Sequence, residues 1–161
     1  MVSNYFRNSC FSWWNNRNIL RGDTVERDNF RDERILFSQM SLAEVLYIYT
    51  NHITGIRQAK LTFKEHSMDR IKQKDIGKKE VIQAVKYGKP IEFHIVNNSP
   101  RVLFRWQRPN QTWDVCAVVD ILTGVIITAF TNHTNDKHST LHEEIYNVEL
   151  DVISIMRGLI G

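Results

Sequence analysis

At 161 residues and 19.0 kDa, with 42% hydrophobic and 24% charged residues, the chain suits one well-buried domain and is too apolar to be disordered. The two cysteines, Cys10 and Cys116, show no pattern of a disulfide framework or a cysteine-based zinc site, and a formal charge of +3 does not by itself demand a polyanion partner. No apolar run approaches the roughly 20 residues that span a bilayer. The start, MVSNYFRNSCFSWWNN, lacks an uninterrupted signal-peptide core, so a soluble protein in a reducing cytoplasm is expected.

Residues 1–40 read as an arm. Phe6, Phe11, Trp13 and Trp14 cluster ahead of a polar, charge-mixed stretch, a composition that packs on the domain or on a partner, or stacks on bases. A single domain is expected over residues 41–161. Ser41 and Glu44 form a capping-box signature, and Leu42, Val45, Leu46, Tyr49, Ile53 and Ile56 then repeat at helical spacing up to Gly55 and just beyond. A second helix is expected over 63–73, with Met68 and Ile71 inward. A third begins at Asp75, with Val81, Ala84 and Val85 buried and Gly88 as its stop.

After Gly88 the period changes to that of strands. IEFHIV, RVLFRW, TWDVCAVVD and GVIITAFT are rich in β-branched and aromatic residues and are separated by NNSP, RPNQ and LTG. The last segment places Leu141, Ile145, Val148, Val152 and Ile155 at helical spacing, with Ser139 or Thr140 as cap and Glu143 closing a box. The order implies an α+β fold: N-terminal helices packed on a four-stranded antiparallel sheet, with a C-terminal helix.

Charge is uneven along this order. Residues 61–142 carry 12 Lys and Arg against 8 Asp and Glu, whereas residues 143–161 have Arg157 against four acids. A basic middle is compatible with an RNA-facing surface and equally with an ordinary solvated one.

The run TFKEHSMDRIKQKDIGKKEVIQAVKYGKPIEF, followed by PRVLFRW, the strand DVCAVVD and TGVIITAF, resembles small domains of the barnase, EndoU, colicin and RelE-like nuclease superfamily. The resemblance covers about residues 60–142 and rests on His66, Arg70, Lys74, Ile76, Val81, Ala84 and Gly88 as a set. Lys74 stands where the pattern commonly has arginine. The resemblance implies a toxin-like endoribonuclease of bacterial or phage type that needs no cofactor. It also implies RNA, tRNA among the candidates, as substrate, a possible cognate immunity protein as partner, and action in a cytoplasm, its own or that of a target cell.

Such a hydrolase needs a base for the ribose 2′-OH, an acid for the leaving oxygen, and cations for the phosphorane. Histidine titrates near neutrality and arginine donates a planar fork to phosphate. Candidate catalytic groups are therefore His66 and His138 as acid and base in either order, with Arg70, Arg101, Arg105 and Thr128. Lys137, Thr140 and His133 are candidate substrate contacts. Arg101 and Arg105 alternate with Leu103, so they share a strand face. The plainer readings are that this face is merely solvated, that His66 caps or decorates a helix, that Asp120 serves a turn, and that His52 and His94 are structural. His133, Asp136, His138 and His142 make an alternative metal set, of no strong signature. The alternative function is a non-catalytic phage or mobile-element binding module that inhibits a host protein.

Overall fold

Ser41 opens the helical half of the molecule, described here from a computed structural model over residues 32–137 and 143–160. The Ser41 hydroxyl accepts the Glu44 amide at 3.2 Å while the Glu44 carboxylate takes the Ser41 amide at 3.1 Å. This starts α1 (Leu42–Ile48), which widens into a π-turn at Tyr49–Ile53 and continues as α2 (Thr54–Gln58). The buried stripe is Ile48, His52, Ile53 and Ile56, while Leu42 and Leu46 are exposed. Ile48 and His52 satisfy the same helical period, so spacing alone does not separate centre from shoulder.

Strand β2 (Thr62–Phe63) leads into α3 (Glu65–Gln73), which ends at Asp75 in left-handed backbone, φ 53°. Helix α4 (Lys78–Tyr87) follows, later than the Asp75 start read from sequence. Gly88 is required sterically. A Cβ there would lie 2.1 Å from the Ala84 carbonyl oxygen and 3.1 Å from the Arg105 backbone. Arg57 closes the same helix end, donating to the Val85 oxygen at 3.2 Å and the Gly88 oxygen at 2.6 Å, a cation where the helix dipole is negative.

The four expected strands form: β3 (Lys89–Val96), β4 (Ser99–Trp106), β5 (Trp113–Asp120) and β6 (Val125–His133). Asn97 and Asn98, both at positive φ, make the two-residue β3–β4 turn. The sheet is larger than the four antiparallel strands expected. With β1 (Glu33–Leu36) at one edge, it has six strands in the order β1-β3-β4-β5-β6-β2, and β2 runs parallel to β6. Strand β1 (Glu33–Leu36) comes from the stretch read as arm, pairs antiparallel with β3, and places Ile35 in the core. Four residues and two residues are too short for alternation to register against a polar background. Residues 1–31, which hold the aromatic cluster, lie outside the described residues.

The C-terminal helix also differs from its expected span. Glu143–Ile145 is one 3₁₀ turn, and α5 runs only over Val152–Ile160. Asn147 diverts the chain: its amide donates to the Arg34 carbonyl at 2.7 Å, and its side chain accepts the Glu149 amide at 3.0 Å. Asp151 is the actual cap, accepting the Ser154 amide at 3.1 Å. Ser139 and Thr140, the expected caps, lie outside the described residues.

The helices cover one face of the sheet. Phe93, Val102, Phe104, Val115, Val119 and Ile126 meet Ile53, Ile71, Val81, Val85 and Met156 there in one core. No helix among the described residues is long and apolar enough to cross a membrane.

Candidate functional site on the polar face of the sheet

Because side chains alternate along a strand, the residues between those core positions point to the opposite face. Register aligns them in rows. Arg34, His94, Arg101 and Asp120 are directly opposed across β1, β3, β4 and β5. Leu36, Glu92, Leu103, Val118 and Thr128 form the next row, and Lys89, Arg105, Cys116 and Phe130 the one after. This face carries charge yet is buried: His94 is 2% exposed, Glu92 3%, Arg101 8% and Asp120 8%.

His94 Nε2 is hydrogen-bonded to Asp32, and Arg34 lies 3.4 Å from the same carboxyl group. Burial opposes ionisation of Asp32, but the hydrogen bond from His94 and the charge of Arg34 outweigh it and hold the carboxyl below its ordinary range. Burial pushes the His94 imidazole below its ordinary range, with Arg34 acting the same way and Asp32 and Glu92 opposing. The consistent arrangement is a neutral imidazole donating Nε2–H to an ionised Asp32, which puts the ring's lone pair on Nδ1. Two residues along the strand, Glu92 accepts the Tyr146 hydroxyl at 2.9 Å. Burial and the Glu92 carboxylate both raise the Tyr146 phenol, so it stays a donor.

Arg105 has a different job from Arg101. Its Nε donates to Asp114 at 2.7 Å, Nη1 to the Asp136 carbonyl at 2.6 Å, and Nη2 to the His133 carbonyl at 2.9 Å. The second Asp114 oxygen accepts the Thr134 hydroxyl at 2.9 Å. Its fork is thus spent on the segment leaving β6. Arg101 donates from Nε to the Ser99 hydroxyl at 3.1 Å, and Ser99 donates to Asp120 at 2.6 Å. Asp120 also accepts the Leu122 and Thr123 amides, so it serves the β5–β6 turn.

The residues singled out from sequence divide accordingly. Arg101, Arg105 and Thr128 share the polar face, although Thr128 is buried beside Val118. His133 stands at its end, edge-on to Trp113, with its Nδ1 accepting the Asn135 amide, and Lys137 is exposed beyond it. His66 and Arg70 are elsewhere. They sit on α3, which packs through Met68 and Ile71 on the helical face, so the sheet lies between them and Arg101. His138 and Thr140 lie outside the described residues, as does His142 of the alternative metal set. Asp32, Arg34, Glu92, His94 and Tyr146 were not selected from sequence. Of these, Glu92 and His94 did carry a signal, as polar residues alternating with Phe93 and Ile95.

Compared with known proteins, the chain matches no family model, no curated protein and no solved structure.

Proposed function

We propose that this chain is a metal-independent, toxin-like endoribonuclease that cleaves RNA, tRNA among the candidates, by attack of the ribose 2′-OH from the polar face of the sheet. The observation that supports it is His94, oriented by Asp32 and set between Arg34 and Arg101 in one cross-strand row. Glu92 lies two residues away on the same strand face, about 7 Å at strand rise, a span that admits a phosphate. Glu92 and His94 supply the proton-transfer pair, and Arg34 and Arg101 face the phosphate. Arg105 positions the segment that carries Lys137. Turnover requires this buried face to open to substrate. The site of action is a cytoplasm, where RNA is available.

The test is incubation of the purified protein with total RNA, with and without EDTA, followed by mapping of the cleaved ends. EDTA-resistant cuts leaving 2′,3′-cyclic phosphates support the reading, and their loss in His94→Gln assigns them to this site. Intact RNA with folded protein refutes it.

One observation favours the second reading, a non-catalytic module that inhibits a host protein. The charges of the polar face are paired, and a cavity of about 430 Å³ beside the start of β3 is walled by Phe37, Val45, Tyr49, Pro90, Lys89 and Arg105. On that reading expression is toxic, and His94→Gln leaves the toxicity unchanged.

A further inference from the structure

Residues 72–89 hold six lysines against only Asp75 and Glu80. Glu80 is already taken by Arg108 at 3.0 Å. Lys72, Lys78, Lys79 and Lys86 are exposed, and none forms an ion pair among the described residues. This contrasts with the polar sheet face, where Asp32, Asp114 and their cations neutralise one another.

The fold gathers these lysines. Lys79 and Lys86 are seven residues apart on α4, about two turns, so they share one stripe, opposite the buried Val81, Ala84 and Val85. Lys72 near the end of α3 and Lys78 at the start of α4 are joined by the tight turn at Asp75, which buries Ile76. The Lys78 ammonium lies 4.9 Å from the centre of the Phe63 ring. Tyr87, 71% exposed, adds an aromatic surface beside Lys86.

We propose that the α3–α4 turn and the outward stripe of α4 form a docking surface for the phosphodiester backbone of RNA. Unpaired lysines answer regularly spaced phosphates, and an exposed ring answers a base. A protein partner of comparable affinity would need a cluster of buried apolar or aromatic anchors, and α3 and α4 expose one such side chain, Tyr87. The surface lies on the opposite side of the sheet from His94, so RNA held there need not touch the His94 row. It does not depend on the nuclease reading, because docking needs no cleavage.

The test uses the full chain and a labelled RNA with 2′-O-methyl riboses, which bind but offer no nucleophile, followed by fluorescence anisotropy over a salt series. A variant carrying Lys72→Gln, Lys78→Gln, Lys79→Gln and Lys86→Gln should melt as the wild type does. Its slope of log K against log salt should be shallower by about 2.8, from about 0.7 per lost phosphate contact. Binding equal to wild type overturns the proposal. So does competition by polyglutamate as effective as that by unlabelled RNA, which would indicate an acidic protein, or binding to phosphatidylserine vesicles without binding to RNA. Lysine-dependent binding of the blocked RNA with total RNA left uncut keeps the surface and removes the nuclease. Cleavage with KM unchanged in the variant does the reverse.

Discussion

A neutral imidazole donates from one nitrogen and accepts at the other, so holding Nε2–H on Asp32 decides that any proton taken by His94 goes to Nδ1. Glutamine places an amide nitrogen close to the position of Nε2. His94→Gln should therefore keep the Asp32 hydrogen bond and the fold while removing acid–base capacity. The expected loss in kcat is about 10² to 10⁴, with a melting temperature close to wild type, read by cleavage assay and circular dichroism on one preparation. A fully active, folded His94→Gln protein would show that His94 is structural. Tyr146 tests the neighbouring group. Glu92 is 3% exposed and accepts the Tyr146 hydroxyl, so Tyr146→Phe removes a donor from a buried carboxylate and should cost about 1–3 kcal/mol in urea denaturation. A variant as stable as wild type would mean that the hydroxyl contributes nothing to holding Glu92.

At the scale of elements, the segment leaving β6 is held mainly through Arg105, with the Asp114–Thr134 bond and a backbone bond from Thr134 to Thr112 beside it. Arg105 bonds Asp114 and two carbonyls of residues 133–136, and the Arg105 and Asp114 side chains are only 13% and 6% exposed. Arg105→Ala strands a buried carboxylate and should cost about 3–5 kcal/mol. It should also raise hydrogen exchange across residues 133–137 before that of the sheet. Unchanged exchange there would mean that the turn holds itself. These elements differ in how far the sequence revealed them. The four meander strands and α4 announce themselves through alternation and helical stripe. The pairing of His94 with Arg101 was also within reach: a two-residue Asn97–Asn98 turn forces Val96 opposite Ser99, and hence His94 opposite Arg101. Strand β1 was not legible, because it is a short edge strand whose partner lies about sixty residues away. Asp32 and Tyr146 reach the site through such long-range placement. The start of α5 is not legible because Leu141, Ile145 and Val148 continue its period, while the bonds of Asn147 to Arg34 and Glu149 divert the chain before the Asp151 cap.

For the molecule as a whole, these placements make folding sensitive to acid. His94 is lowered by burial, and His52, inside the π-turn, is lowered by burial with its Nε2 finding no hydrogen-bond partner among the described residues. Both histidines are harder to protonate in the folded chain than in the unfolded one, whose imidazoles titrate near 6.5. As pH falls through that value the unfolded state takes up protons first. Stability from these groups is therefore fully present above about pH 6.5 and is lost below it, toward their lower folded values. The slope is at most about 1.4 kcal/mol per pH unit for each histidine. Asp32 adds a separate acid-side loss below the ordinary carboxyl value of 3.8, because its folded carboxyl is also lowered. Urea midpoints measured from pH 8 to pH 4.5 should stay level and then decline, and His94→Gln and His52→Gln should each flatten the decline. If both single variants follow the wild-type curve, the acid sensitivity comes from other groups and neither imidazole is held neutral by the fold.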